Sequence, residues 1–260
     1  MNDPFQQFAE ERRQQIASYS LDKVFTAKSQ AWLEDSMRRR YVYNFDWLGR
    51  PIIQYPQDIV AIQELVWSTR PDLIIETGIA HGGSLVLSAS LLAMLDYCDA
   101  VEACTVLDPK ASKRKVLGLD IDIRSHNREA IESHPLAHKI DMIQGSSISS
   151  EVISKVQEYA SNYQRIMICL DSNHTHEHVL AELNAYAPLT TPGCYCVVFD
   201  TFVEDMPADL FPNRPWTPGN NPKTAVWEYL KTHPEFEMDK SIDNKLLISV
   251  AADGYLKRAY

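Results

Sequence analysis

From Gln57 onward the chain alternates short apolar runs with amphipathic stretches. Gln57–Thr69 places Ile59, Ile62, Leu65 and Val66 on one helical face. Leu73-Ile74-Ile75 is a brief continuous apolar run, the mark of a strand buried on both faces. The same signature returns at Val116–Leu119, Ile140–Ile143, Ile166–Leu170 and Tyr195–Phe199. Helical stretches at Ser84–Leu95 and Thr175–Tyr186 lie between, the second broken at Pro188, and Val101–Leu107 reads as a helical end or a loop. Strands alternating with helices predict an α/β fold, a mostly parallel sheet with helices on both faces. Ligands of such sheets gather at the carboxyl ends of the strands. A polar cluster follows each of the five runs.

Ahead of this pattern, residues 1–40 read as helical, opened by Asn2-Asp3-Pro4 and closed by Arg38-Arg39-Arg40. That basic cluster reads as a solvated helix end complementing the dipole, against a role in binding an anionic substrate. Tyr41–Tyr55 is rich in aromatics and contains the turn Leu48-Gly49-Arg50-Pro51. It suits an arm that wraps another copy of the chain or covers a site, or equally a layer packed on the core. The expected division is a 1–55 extension and a 56–260 domain, with self-association through the extension.

Composition narrows the class. With 260 residues, 45% hydrophobic and 23% charged, the chain fits one large α/β unit plus an extension, not a disordered chain or a rod. A net charge of −10 argues against nucleic acid, whose phosphates need a basic footprint. The longest apolar run, Ser84–Leu95, is interrupted by Ser88 and Ser90, so no membrane span is expected. Met1–Arg13 is polar and carries acids, unlike a signal peptide. Five cysteines without a paired framework suit reduced thiols in a cytoplasmic protein.

The strand ends carry the candidate chemistry. After Leu73–Ile75 comes Glu76-Thr77-Gly78-Ile79-Ala80-His81-Gly82-Gly83-Ser84, a glycine-rich bend into a helix. It is neither GxGxxG nor a Walker A loop. A carboxylate at its start would repel a pyrophosphate but suit an amino group or ribose hydroxyls, and S-adenosylmethionine offers both. Asp120 ends the second strand, where an acid accepts from ribose hydroxyls, with Asp122 as a competitor. Gln144-Gly145-Ser146 ends the third, on the side expected for adenine. Asp171 and Asp200 end the fourth and fifth, and two carboxylates facing one cleft suit Mg²⁺; helix capping by Asp171 is the alternative. Glu204 and Asp205 are further acids nearby. His174, His176 and His178 follow Asp171; His174 is the candidate general base, since an unperturbed histidine titrates near operating pH. Zinc is disfavoured because no third nitrogen or sulfur ligand is evident. Trp216 and Trp227 suit stacking on a sugar or plain packing, and Arg214–Asn220 reads as a substrate lid.

Together IIETGIAHGGSLVLSASLL, VLGLDIDIRSHNR, IQGSS, CLDSNHTHEHVLAELNAYAPL, GCYCVVFDTFVEDMP and NPKTAVWEYL resemble the cephalosporin hydroxylase-like family, also described as rhamnosyl O-methyltransferase-like, over about residues 40–250. The resemblance implies a Rossmann-like Class I S-adenosylmethionine-dependent methyltransferase sheet of seven strands, the last antiparallel, with Lys245–Val250 as one of the two final strands. It implies cofactor contacts at Glu76, Gly78, Gly82, Asp120, Gln144, Gly145 and Ser146, to which His81, Ser84 and Asp171 are added here as cofactor candidates. It implies Mg²⁺ at Asp171 and Asp200; the neighbours of Asp200, Phe199 and Thr201, depart from the acid pairs of relatives, so Glu204, Asn173 or water is the candidate third ligand, and His174 and Asp171 are the catalytic candidates. The expected acceptor is a hydroxyl of a sugar or glycosylated natural product. The competing readings are a hydroxylase, needing iron on Asp171 and two of the three histidines, and a non-catalytic cofactor-binding scaffold.

Overall fold

The computed structural model of the chain describes residues 3–260. Asn2, part of the expected helix start, lies outside them. Asp3 caps the first helix by accepting from Phe5 N, and Pro4 occupies its first turn, where a missing N–H costs nothing. Helices α1 (Pro4–Tyr19) and α2 (Lys23–Arg38) form the extension; α1 buries no residue, whereas α2 buries Ser29, Leu33 and Ser36. A hairpin follows, β1 (Phe45–Trp47) against β2 (Arg50–Ile52), turning at Leu48-Gly49. The aromatic stretch is no free arm. Tyr55 is wholly buried, stacks near Tyr41 and Trp32, and shares a hydroxyl hydrogen bond with Ser36.

The regular part runs α3 (Pro56–Thr69), β3 (Leu73–Thr77), α4 (Gly83–Glu102), β4 (Lys115–Asp120), α5 (Ser125–Glu132), β5 (Ile140–Gln144), α6 (Ser150–Ala160), β6 (Ile166–Leu170), α7 (His176–Tyr186), β7 (Tyr195–Val198), α8 (Pro222–Tyr229), β8 (Phe236–Met238), α9 (Lys240–Leu246) and β9 (Tyr255–Arg258). The sheet order is β5-β4-β3-β6-β7-β9-β8, with β9 alone reversed. Every β3 and β6 residue is buried, which explains their unbroken apolar runs. Alternate residues feed two cores. Ile74 and Met167 join the α2, α3 and α4 side, while Ile75 and Ile168 join the α6, α7 and α8 side.

Two expectations need correcting. Lys245–Val250 is not a strand: it finishes α9 and turns at Leu247, which adopts φ +61°. Its apolar character comes from loop packing, with Val250 and Ala251 buried. The buried Asp58 holds this loop by accepting from Ser249 Oγ at 2.6 Å, Val250 N at 3.0 Å and Tyr255 OH at 2.8 Å. The apolar helix after β3 is also longer than its sequence pattern showed. At 20 residues α4 is long and apolar enough to cross a membrane, yet Leu85, Val86, Leu87, Ala89, Leu92 and Leu95 are buried within the fold. All five cysteines are free thiols.

Candidate active site

The chain order reverses at β3, which pairs with β4 on one side and β6 on the other. A cavity of about 970 Å³ opens beside the carboxyl end of β3. Its floor includes the bend after β3 and the ends of β6 and β7; its walls include the hairpin and the loop before α8.

Gly78 has φ +89°, and a Cβ there would fall 2.0 Å from the Asp171 carbonyl oxygen. Only glycine permits this contact, which presses the β3–α4 bend against the β6 end. Gly82 caps α4 with φ +82°. Glu76 lies beneath the bend, 3% exposed, and its carboxylate accepts from the Ser84 hydroxyl. Burial pushes its pKa up to about 7 despite that hydrogen bond. Glu76 is therefore screened from the open cavity, whereas Gly78, His81 and Ser84 line it.

Asp120 stands on the other side of the bend. Its Oδ2 accepts from Ile79 N at 2.8 Å and Ala80 N at 3.4 Å, and its Oδ1 from Asp122 N at 3.0 Å. Asp122 is thus a donor to Asp120 through its backbone, with its own side chain exposed. Gln144 pairs in register with Asp120, and Gly145 N donates to the Asp120 carbonyl at 2.8 Å, so the third strand's end adjoins the second's. Gln144, Gly145 and Ser146 lie outside the cavity lining. Arg50 and Asn127 complete this side and had no sequence signal. The Arg50 guanidinium donates to the His81 carbonyl at 2.9 Å and to Asn127 Oδ1 at 3.1 Å, and Asn127 donates to the Ala80 carbonyl at 2.8 Å.

Asp171, His174 and Asp200 come together at the ends of β6 and β7, with one donor atom from each within 4.8 Å of the others. His174 Nε2 lies 3.1 Å from Asp200 Oδ2, and the Trp216 ring meets the imidazole edge-on at 4.7 Å. Asp200 itself is held at φ +55°, uncommon for a non-glycine residue. The Val250 carbonyl secures the following turn by accepting from Phe202 N and Thr201 Oγ1, both at 3.3 Å. Burial first, and then the negative charge of Asp200, raise the Asp171 pKa well above the carboxylate range. Among the described residues neither carboxylate pairs with a lysine or arginine. Two converging carboxylates short of positive charge, with an imidazole beside them, fit a divalent cation.

Glu204 is not brought to this cluster. The 3-10 turn after Asp200 carries it away, and its Oε2 accepts from Gly219 N at 2.7 Å and Asn221 Nδ2 at 2.5 Å. It anchors the loop before α8. That loop reaches the cavity with Arg214 and Trp216; Trp227 lies outside the lining, 43% exposed on α8. The three histidines diverge. His176 turns to Thr224 and Glu228, and His178 to Ser147, Ser172 and Glu182. Two-histidine iron or zinc sites are therefore not assembled, which disfavours the hydroxylase reading.

A parallel sheet in this order with its reversed β9, a glycine bend at the switch point and acids along the rim define a Class I methyltransferase. The comparisons give the family. The model described as Rhamnosyl O-methyltransferase/CmcI matches residues 39–259. The chain belongs to that family and is an S-adenosylmethionine-dependent O-methyltransferase. A rhamnosyl O-methyltransferase of Mycobacterium bovis (strain BCG / Pasteur 1173P2) is 27% identical over 253 residues, 94% of this chain and 91% of that protein. One from Mycobacterium leprae is 27% identical over 216 residues, 82% of each. Among solved structures, CmcI with Mg and SAM superposes with TM-score 0.55 at 18% identity, covering 84% of this chain and 78% of that one. An O-methyltransferase from Bacillus cereus in complex with SAH gives TM-score 0.51 at 15% identity, covering 85% and 90%. At those identities the two structures speak for the fold.

Proposed function

We propose that the protein transfers a methyl group from S-adenosylmethionine to a hydroxyl of a sugar or glycosylated natural product, with assistance from Mg²⁺. The observation that carries this reading is that one cavity holds both the bend after β3 and the Asp171, His174 and Asp200 cluster. The sugar acceptor draws support from the rhamnosyl O-methyltransferase relatives. Gly78, His81, Gly82 and Ser84, backed by Glu76, would hold the cofactor against the bend, with Asp171 at its other side. Asp120 would meet the ribose, and Gln144, Gly145 and Ser146 the adenine. Asp171 and Asp200 would hold the cation. When bound, the cofactor supplies an activated methyl group and the cation lowers the pKa of the acceptor hydroxyl. His174 takes the hydroxyl proton, and the Asp200 carboxylate, 3.1 Å from its Nε2, stabilises the imidazolium that results. Trp216 fixes the imidazole edge-on. Residues 1–55 serve as an extension that walls the cavity and supports self-association of a cytoplasmic enzyme, and 56–260 as the catalytic domain.

The test is a panel of sugar nucleotides and glycosides incubated with cofactor, reading a mass gain of one methylene. Turnover should require Mg²⁺ and vanish in chelator; full turnover in chelator would overturn the role of the cation. Absence of S-adenosylmethionine binding by calorimetry would overturn the whole reading. His174→Ala should lose turnover and keep metal affinity, whereas lost metal affinity would make His174 the third ligand instead of the base.

A further inference from the structure

The basic residues at the end of α2 are exposed, as Arg214 is, but their exposure is partly to the cavity. Arg38 and Arg40 both line the cavity, and Arg214 lines it from the loop before α8. Arg38 is engaged by Glu34 and Asp209. Arg40 and Arg214 have no carboxylate partner among the described residues. Each guanidinium lies instead over an aromatic ring: Arg40 over Tyr43 at 4.9 Å, and Arg214 over Trp216 at 5.0 Å. Stacking of this kind orients the planar fork and leaves its N–H groups free. Arg40 also holds φ +56°, a left-handed conformation that is uncommon for a non-glycine residue. Two uncompensated guanidinium groups in one cavity are unexpected on a chain of net charge −10. Trp216 links Arg214 to the chemistry, since the ring under Arg214 is the ring against His174.

We propose that Arg40 and Arg214 bind a phosphate group of the acceptor, so that the sugar is presented as a phosphate-linked or nucleoside-diphosphate-linked donor form rather than as a neutral glycoside. The inference rests on the methyltransferase reading. Arginine forks match phosphate oxygens in pairs, and an aromatic beside each fork suits a base or sugar face. The sugar hydroxyls then fall toward Asp171, His174 and Asp200, one ring away from Arg214.

Calorimetry on the full chain tests this, in chelator so that no cation bridges the acids. The probes are dTDP, inorganic pyrophosphate and thymidine, with S-adenosylmethionine as a separate titration. dTDP should bind, thymidine should not, and Arg40→Ala and Arg214→Ala should each weaken dTDP about tenfold. Both variants should keep cofactor affinity and melting temperature. Pyrophosphate binding as tightly as dTDP would support the phosphate site and assign a carrier without a base; dTDP binding more tightly would assign a nucleotide. No binding of either diphosphate at millimolar concentration, or undiminished dTDP binding in the double variant, would overturn the proposal. The cofactor titration keeps the two readings apart: if S-adenosylmethionine binds and the diphosphates do not, only the phosphate site fails.

Discussion

Asp120 and Asp171 end strands on opposite sides of β3, and their surroundings differ in kind. The Asp120 carboxylate accepts from three backbone N–H groups, so its negative charge is already used to fix the bend after β3. The Asp171 carboxylate accepts no hydrogen bond among the described residues and stands close to a second carboxylate. A charge satisfied by the protein shapes a binding surface. A charge left unsatisfied at a cavity is an unmet demand for a ligand, and it lowers the stability of the fold until that ligand arrives.

The largest expected effect breaks the unsatisfied side. Asp171→Asn should cut turnover about a thousandfold, while in chelator the variant should melt a few degrees higher than the parent, because a buried carboxyl that is costly to ionise beside Asp200 is replaced by a neutral amide. Turnover assays and thermal melts check the two arms, and a lower melting temperature in chelator would mean that the Asp171 carboxyl stabilises the metal-free fold. Next is Glu76, whose pKa rises from the ordinary 4.5 to about 7 on folding. Between those values the folded state holds more protons than the unfolded chain, so stability falls as pH rises through the window. Glu76→Gln should remove that slope and, above pH 7, stabilise the protein by on the order of 3 kcal/mol, read by urea melts across the window. Asp120→Ala leaves backbone donors of the bend unpartnered and should weaken S-adenosylmethionine about tenfold or more, with metal affinity unchanged, as calorimetry would show. The smallest effect is expected from Glu204→Ala. It frees the loop before α8 and should raise the acceptor KM about fivefold with little change in metal affinity; a large loss of metal affinity would restore Glu204 as a ligand.

Much of this was legible from sequence, and the reasons are specific. Strands buried on both faces must be apolar throughout, so Leu73–Ile75 and Ile166–Leu170 announce themselves, and the polar residues at their carboxyl ends become the candidates. Of the acids this picks out, Asp171 and Asp200 line the cavity with His174, whereas Asp120 ends β4 outside the lining and holds the bend. The pattern could not say what happens beyond the strand end. Glu204 is only four residues from Asp200, but the left-handed backbone at Asp200 and the 3-10 turn carry its side chain to the loop. Lys245–Val250 misled for a related reason: an apolar loop pinned by a buried carboxylate has the composition of a strand, and Asp58 lies almost two hundred residues away in the chain. Arg50 acts through the His81 carbonyl of the bend and through Asn127, contacts that no residue pattern records.

The hairpin crosses Gly83 so closely that a Cβ there would fall 2.2 Å from the Pro51 carbonyl oxygen. A seam without side-chain slack cannot swing, so this wall acts as a fixed jamb. Across the cavity the stretch bearing Trp216 has a different kind of hold, side-chain hydrogen bonds in place of backbone contact: Glu204 accepts from Gly219 N and Asn221 Nδ2, and Asn220 Oδ1 accepts from His176 N.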